Sequence, residues 1–212
     1  MTILREKFQR ITIRLLSKIE KKCAQREGGK VIYVTSAADK EGKSFVSNAL
    51  AIQASEITSN KVLLIDANME TPSLHENFGL KQDAGLSELL ISGVLGEIKY
   101  QQSDLDNLYL LPAGKECKSG LLFKQRLIKD FLEKLKAQFD LIIIDAGSIT
   151  RSGANSMAHL ADGIVLVVDT SSTRKQVLQN ALYELNVEKE KIAGVVLNKK
   201  QQYIPDFIYK RL

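Results

Sequence analysis

The sequence predicts an α/β fold with a doubly wound, mainly parallel sheet. Three observations predict it: short β-branched runs recur along the chain, they are apolar throughout rather than alternating, and segments of helical composition separate them. A strand apolar at every position suits a sheet covered on both faces, and strand–helix alternation is how parallel strands are connected.

The strands are read at residues 31–35, 62–65, 108–111, 141–144, 164–168 and 195–197. Helices are read at 44–57, 121–138 and 173–185, the last with Thr173 as its N-cap. The organisation this implies is a basic helical segment over 1–29, a nucleotide-binding domain over 30–200 and a tail over 201–212 with two tyrosines. In the first segment Arg5, Lys7, Arg10, Arg14, Lys18, Lys21, Lys22 and Arg26 outnumber Glu6, Glu20 and Glu27, and Gly28-Gly29 closes it. A solvated helix docked on the core is expected; a membrane-surface or oligomer contact is the sharper alternative.

A chain of 212 residues with 44% hydrophobic content can bury a sizeable core. Its net charge of +5 and pI of about 9.1 favour anionic partners without selecting one. Cys23 and Cys117 stand far apart in no metal-ligand spacing, as free thiols in a reducing cytosol would. His75 and His159 have no metal-ligand neighbours, so no zinc site is expected; a hydrogen-bonded structural role is expected for His75. No apolar run reaches the roughly 20 residues of a bilayer span, and no signal peptide is read at the start. A cytoplasmic protein, peripheral at the inner face of the membrane, fits these features. Nothing reads as a nucleic-acid motif, so no nucleic-acid partner is expected.

The chemistry is concentrated in the segment 31–44, where an apolar strand runs through Thr35-Ser-Ala-Ala-Asp-Lys-Glu-Gly-Lys-Ser44 into a helix. Backbone N–H groups at a helix start converge on an anion, and the helix dipole adds partial positive charge. Gly42 lets the backbone approach the phosphates, Lys43 reaches the β- and γ-phosphates, and Ser44 holds Mg²⁺ through its hydroxyl. This is a P-loop with one departure: Ala37 stands where the full pattern has its first Gly. ATP or ADP with Mg²⁺ is the cofactor implied, with Asp39, Lys40, Glu41, Gly42, Lys43, Ser44 and Phe45 as the binding segment. Two further strands end in carboxylates, Asp66 and Asp145, on the rim where open α/β sheets bind ligands. One can belong to the Mg²⁺ shell while the other accepts a proton or orients a nucleophile. Asn198 closes the last strand; hydrogen bonding to a nucleobase edge and capping of a turn are equally weighted readings of it.

Together these places resemble the bacterial tyrosine autokinases of capsule and exopolysaccharide synthesis, within the deviant-Walker group that includes MinD and ParA. The resemblance runs over 31–198. Its landmarks include the loop 35–44, Ala49-Leu-Ala51, Val62 to Asp66 followed by Thr71-Pro72-Ser-Leu-His75, and Gly85-Leu-Ser87. Leu111-Pro-Ala-Gly114, Asp140 to Asp145, Ala161-Asp-Gly163 and Gly194 to Asn198 continue them in the same order. The signature Lys of MinD and ParA would fall at Ala38, which favours the tyrosine-kinase branch. The resemblance implies that Lys43 and Ser44 bind phosphate and Mg²⁺, that Asp66 is a base or Mg²⁺ contact, that Asp145 supports Mg²⁺ and that Asn198 lies near adenine. It implies γ-phosphoryl transfer to tyrosine, with Tyr203 and Tyr209 as candidate acceptors. It also implies a membrane-embedded polysaccharide co-polymerase or activator protein as partner, and the option of a homo-oligomer.

The departures from the family pattern have physical content. Asp39-Lys40 replaces Pro-Gly, so Lys40 is strained if the loop keeps a positive φ there. Asp66-Ala-Asn68-Met-Glu70 replaces Asp-x-Asp-x-Arg, removing one charge near the metal and reversing another. Ala146-Gly147-Ser148 replaces Thr-Pro-Pro, and the N-terminal Glu-x-x-Arg-x-x-Arg is broken at Gln9 and Thr12. A nucleotide-binding pseudokinase scaffold and a MinD/ParA-like regulatory ATPase are the alternatives to an active kinase.

Overall fold

The computed structural model describes residues 2–23, 28–81, 84–114, 124–150 and 155–200. The chain opens with helix α1 (Thr2–Cys23), then β1 (Lys30–Ser36), α2 (Lys43–Ile57) and β2 (Val62–Ala67). Short helices α3 (Leu74–Asn77) and α4 (Leu86–Ser92) precede β3 (Gln101–Gln102) and β4 (Leu108–Leu111). After them come α5 (Gln125–Lys136), β5 (Leu141–Ser148), α6 (Asn155–Ala158), β6 (Gly163–Asp169), α7 (Lys175–Leu185) and β7 (Ile192–Asn198). The seven strands form one sheet in the order β3-β4-β2-β5-β1-β6-β7. Every described pairing is parallel except β3 with β4.

The apolar runs become central strands because the sheet has two buried faces. In β2 and β6 every residue is buried, and the side chains divide alternately between two cores. Val31, Tyr33, Leu63, Ile65, Ile142 and Ile144 point to the side covered by α4, α5, α6 and α7. Ile32, Val34, Leu64, Ile143, Val165 and Val167 point to the side covered by α1, α2 and α3. Helix α5 shows why a helix forms there: Leu127, Ile128, Phe131, Leu132 and Leu135 make one buried stripe at helical spacing. Helix α1 docks as expected, burying Leu15, Leu16, Ile19 and Cys23, while Arg10, Arg14, Lys18 and Lys21 face solvent.

Several details depart from the expected boundaries. Strand β3 has no apolar run to announce it; two glutamines form it by antiparallel pairing with β4. Helix α7 begins at Lys175, two residues late, because the Thr173 hydroxyl bonds the Glu41 side chain instead of capping the helix. The close of the first segment before Gly28-Gly29 falls at residues 24–27, outside the described residues. Gly29 itself packs tightly: its N–H donates to the Lys136 carbonyl, and a Cβ there would lie 2.0 Å from the Phe139 carbonyl oxygen.

Parallel pairing sends the C-terminal ends of β1, β2, β5, β6 and β7 to one edge of the sheet. The loop from β1 to α2 crosses that edge. In register, Val34 and Asp66 both pair with Asp145, so the loop and both carboxylates meet by construction of the sheet.

Candidate functional site

The loop from Ala37 to Gly42 turns β1 into α2. Gly42 has φ 92 and stands at the N-cap of a 15-residue helix. The N–H groups of a first helical turn have no acceptor within the helix, a geometry suited to an anion. A Cβ at Gly42 would sit 2.2 Å from Asn198 Nδ2, so glycine is required both by the backbone and by the close approach of β7. Lys40 does keep a positive φ, 61, at the position where the family pattern has Gly. Ala37, in place of the first Gly of the full pattern, is fully buried and its carbonyl accepts from the Thr150 hydroxyl.

Among the site residues read from the sequence, the structure brings together Gly42, Lys43, Ser44, Asp66 and Asp145. Lys43 is 6% exposed, and its positive charge lies close enough to both carboxylates to lower their pKa values. Asp66 is fixed by three backbone donors: Asn68 N–H to Oδ1, and Ser73 and Leu74 N–H to Oδ2, each at 3.1 Å. Burial nevertheless pushes its pKa up to about 6. Asp145 is more perturbed. Burial first, and then the facing negative charge of Asp66, push it up to about 7, against the pull of Ser44, Ser47 and Lys43. Its Oδ1 accepts from the Ser47 hydroxyl at 2.8 Å. Its Oδ2 is buried and has no hydrogen-bond partner.

The other loop residues have different surroundings. Asp39 is exposed, and its Oδ1 accepts from the Ser148 hydroxyl at 2.6 Å, tying the loop to the end of β5. Glu41 is 1% exposed and turns inward. Its Oε2 accepts from Ala38 N–H at 2.9 Å, and its Oε1 accepts from Asp169 N–H at 3.2 Å and from the Thr173 hydroxyl. Glu41 is therefore a brace of the loop, and its carboxylate is not turned toward a ligand. Phe45 is 60% exposed, one turn into α2. Asn198 donates from Nδ2 to the Glu41 carbonyl at 2.8 Å, so its amide also braces the loop. His75 departs from expectation, since its Nδ1 is buried without a hydrogen-bond partner. Tyr203, Tyr209 and Cys117 lie outside the described residues.

Three contributors escaped the sequence reading. Ser47 lies one turn beyond Ser44 on the same helix face, and that spacing was the available signal. Asp169 ends β6 as Asp66 ends its own run, a third strand-terminal carboxylate; it accepts from Ser171 N–H and hydroxyl. Lys199 carried no signal in its neighbourhood, because its partners Lys40 and Asp169 are brought to it by β7 pairing with β6.

Comparisons with known proteins bear on the family and the fold. No protein-family model matches the chain. The tyrosine-protein kinase YwqD of Bacillus subtilis (strain 168) is 30% identical over 174 residues, covering 81% of this chain and 73% of that protein. The succinoglycan biosynthesis transport protein ExoP of Rhizobium meliloti (strain 1021) is 29% identical over 176 residues, covering 80% of this chain but 22% of ExoP. Among solved structures, the chimerical protein CapA2B2 matches with a TM-score of 0.79 at 25% identity, covering 93% of this chain and 85% of that one. MinD of Pyrococcus horikoshii OT3, solved with Mg-ADP, shares the fold at a TM-score of 0.67 and 20% identity, over 86% of this chain and 76% of that one. By sequence, and with a fold of the MinD and ParA type, the chain belongs to the bacterial tyrosine-protein kinase family.

Proposed function

We propose that the protein binds Mg-ATP and transfers the γ-phosphoryl group to tyrosine, with Tyr203 and Tyr209 as candidate acceptors. The observation that carries this reading is Asp145 Oδ2, a buried carboxylate oxygen without a partner, facing a second buried carboxylate beside a phosphate loop. Two facing acids and an orphaned oxygen are costly in a core unless a cation completes them. The donors fit Mg²⁺, which takes hard oxygen ligands from one or two carboxylates and completes its shell with phosphates and water. Asp145, Ser44 and Asp66 would hold the ion, which would neutralise both acids and the charge developing on the phosphates.

The protein's own groups then have distinct tasks. The helix start and Lys43 bind and orient the phosphates. Ser47 keeps Asp145 turned toward Ser44. Asp66, held by its three N–H donors, would serve either as that Mg²⁺ contact or, if the ion rests on Asp145 and Ser44, as the base that accepts the proton of an incoming tyrosine hydroxyl. Asn198 supports the loop from the strand end where the resemblance places adenine.

The name of ExoP, a succinoglycan biosynthesis transport protein, supports a role in polysaccharide synthesis or export, and the family resemblance implies a membrane-embedded co-polymerase or activator protein as partner. Among the described residues no helix is long and apolar enough to cross a membrane. On this reading the protein would meet the inner face of the membrane through that partner, singly or as a homo-oligomer. Incubation with γ-labelled ATP and Mg²⁺ tests the transfer. Label is expected on tail tyrosines in the wild type and not in Lys43→Met; ATP turnover without phosphotyrosine would refute it.

One observation favours a second reading, a pseudokinase that binds nucleotide without transferring phosphate. The Asn68 amide, in place of the family's second carboxylate, donates to the Thr71 carbonyl at 3.1 Å and to its hydroxyl at 3.0 Å. That side chain closes a turn and supplies no charge to the site.

A further inference from the structure

Among the described residues three non-glycines have positive φ: Lys40 at 61, Asn186 at 46 and Lys199 at 52. Two of them touch. Lys199 Nζ donates to the Lys40 carbonyl oxygen at 2.8 Å and to Asp169 Oδ2 at 2.9 Å. Asp169 is itself held, because its Oδ1 accepts from Ser171 N–H at 2.9 Å and from the Ser171 hydroxyl at 2.6 Å. The next loop carbonyl, that of Glu41, accepts from the preceding β7 residue, Asn198, at 2.8 Å. Two consecutive peptide oxygens of the phosphate loop are thus gripped by two consecutive residues at the end of β7.

The grip falls where the loop has lost the residue that would hold its shape unaided. A glycine adopts φ near 60 without steric conflict; a lysine does not, and left alone it would relax to negative φ. That relaxation would swing the Lys40 carbonyl and reorient the peptide groups leading to Gly42. A hydrogen bond from a charged donor to that carbonyl opposes the swing.

We propose that Lys199, seated by Asp169, is a positioning residue of the phosphate loop: it clamps the Lys40 peptide in the left-handed turn that a glycine would adopt unaided. The clamp rests on the nucleotide-binding reading of the site. It requires that Lys199 act through the loop backbone, without touching nucleotide.

The test is a four-way comparison of the full chain: wild type, K199M, K40G and K40G/K199M. Affinity for Mg-ADP is measured by calorimetry, and amide hydrogen exchange of residues 38–43 is followed without nucleotide. K199M is expected to weaken binding by about tenfold with Lys40 in place, the size of one strained left-handed residue, and by less than about twofold in the K40G background. K199R retains binding in the wild-type background. Exchange across 38–43 quickens in K199M but not in K40G/K199M relative to K40G. Equal weakening in both backgrounds would overturn the clamp in favour of a direct charge effect, and no weakening in either would overturn it outright. If the wild type binds no Mg-ADP, the nucleotide reading fails separately, and the exchange comparison alone decides the clamp.

Discussion

Asp145 and Asp66 show what a buried pair of acids does to a fold without its cation. Both pKa values lie above the ordinary 3.8, at about 7 and about 6, so between those limits the folded state binds more protons than the unfolded chain. Stability without metal therefore falls as pH rises from about 4 to about 7, and the full penalty is present above that range. Asp145→Asn removes the facing charge. Its melting temperature is expected to exceed that of the wild type by a margin that grows across this window, measured by thermal unfolding without divalent ions. Added Mg²⁺ should raise the wild-type melting temperature more at the alkaline end than at the acid end, because protonated carboxylates do not bind it. A margin independent of pH would mean that the two acids do not carry the raised values. The sequence made these residues legible because each ends an apolar strand. It did not show their perturbation, which comes from the register that pairs Asp66 with Asp145 across β2 and β5.

Elements were legible wherever packing and local pattern agree. The strands β1, β2, β4, β5 and β6 announce themselves as apolar runs because both their faces are buried. Strand β7 is longer than its apolar run suggests. It lies at the sheet edge, where Val195 and Leu197 remain 53% and 60% exposed and no residue is fully buried, so pairing with β6 rather than burial sets its length. Strand β3 was invisible, since only its partner gives two glutamines a reason to extend. Thr173 misled for the opposite reason: a good capping residue found a stronger partner in Glu41 across the fold. Helix α1 was legible as a docked basic helix, and its attachment can be measured. Ile19 is 3% exposed in the core shared with α2 and the sheet. Ile19→Ala should lower the unfolding free energy by about 2–5 kcal/mol in urea titrations while leaving Mg-ADP affinity unchanged. A loss below about 1 kcal/mol would mean that α1 is only loosely attached.

At the scale of the whole molecule, charge and site are separate. The first 29 residues hold eight basic and three acidic side chains and so account for the entire net charge of +5; the rest of the chain is balanced. On the proposed reading, nucleotide attraction would arise locally, from the helix start, Lys43 and a cation held between the two carboxylates. Departures from the family pattern fall in two places with different consequences. Those in the loop, Asp39 and Lys40, are tied by hydrogen bonds to Ser148 and Lys199. That at Asn68 places an uncharged amide, hydrogen-bonded to Thr71, where the family pattern has a carboxylate, and on the proposed reading it would bear on transfer more than on binding. The central claim is thus a working Mg-nucleotide site built on Lys43, Ser44 and Asp145. Isothermal titration of the full chain with Mg-ADP, beside Lys43→Ala, tests it most directly. The account predicts binding with a Kd of roughly micromolar order, about −8 kcal/mol, lost in the variant. No heat from the wild type, at concentrations that would reveal a roughly millimolar site, would contradict it.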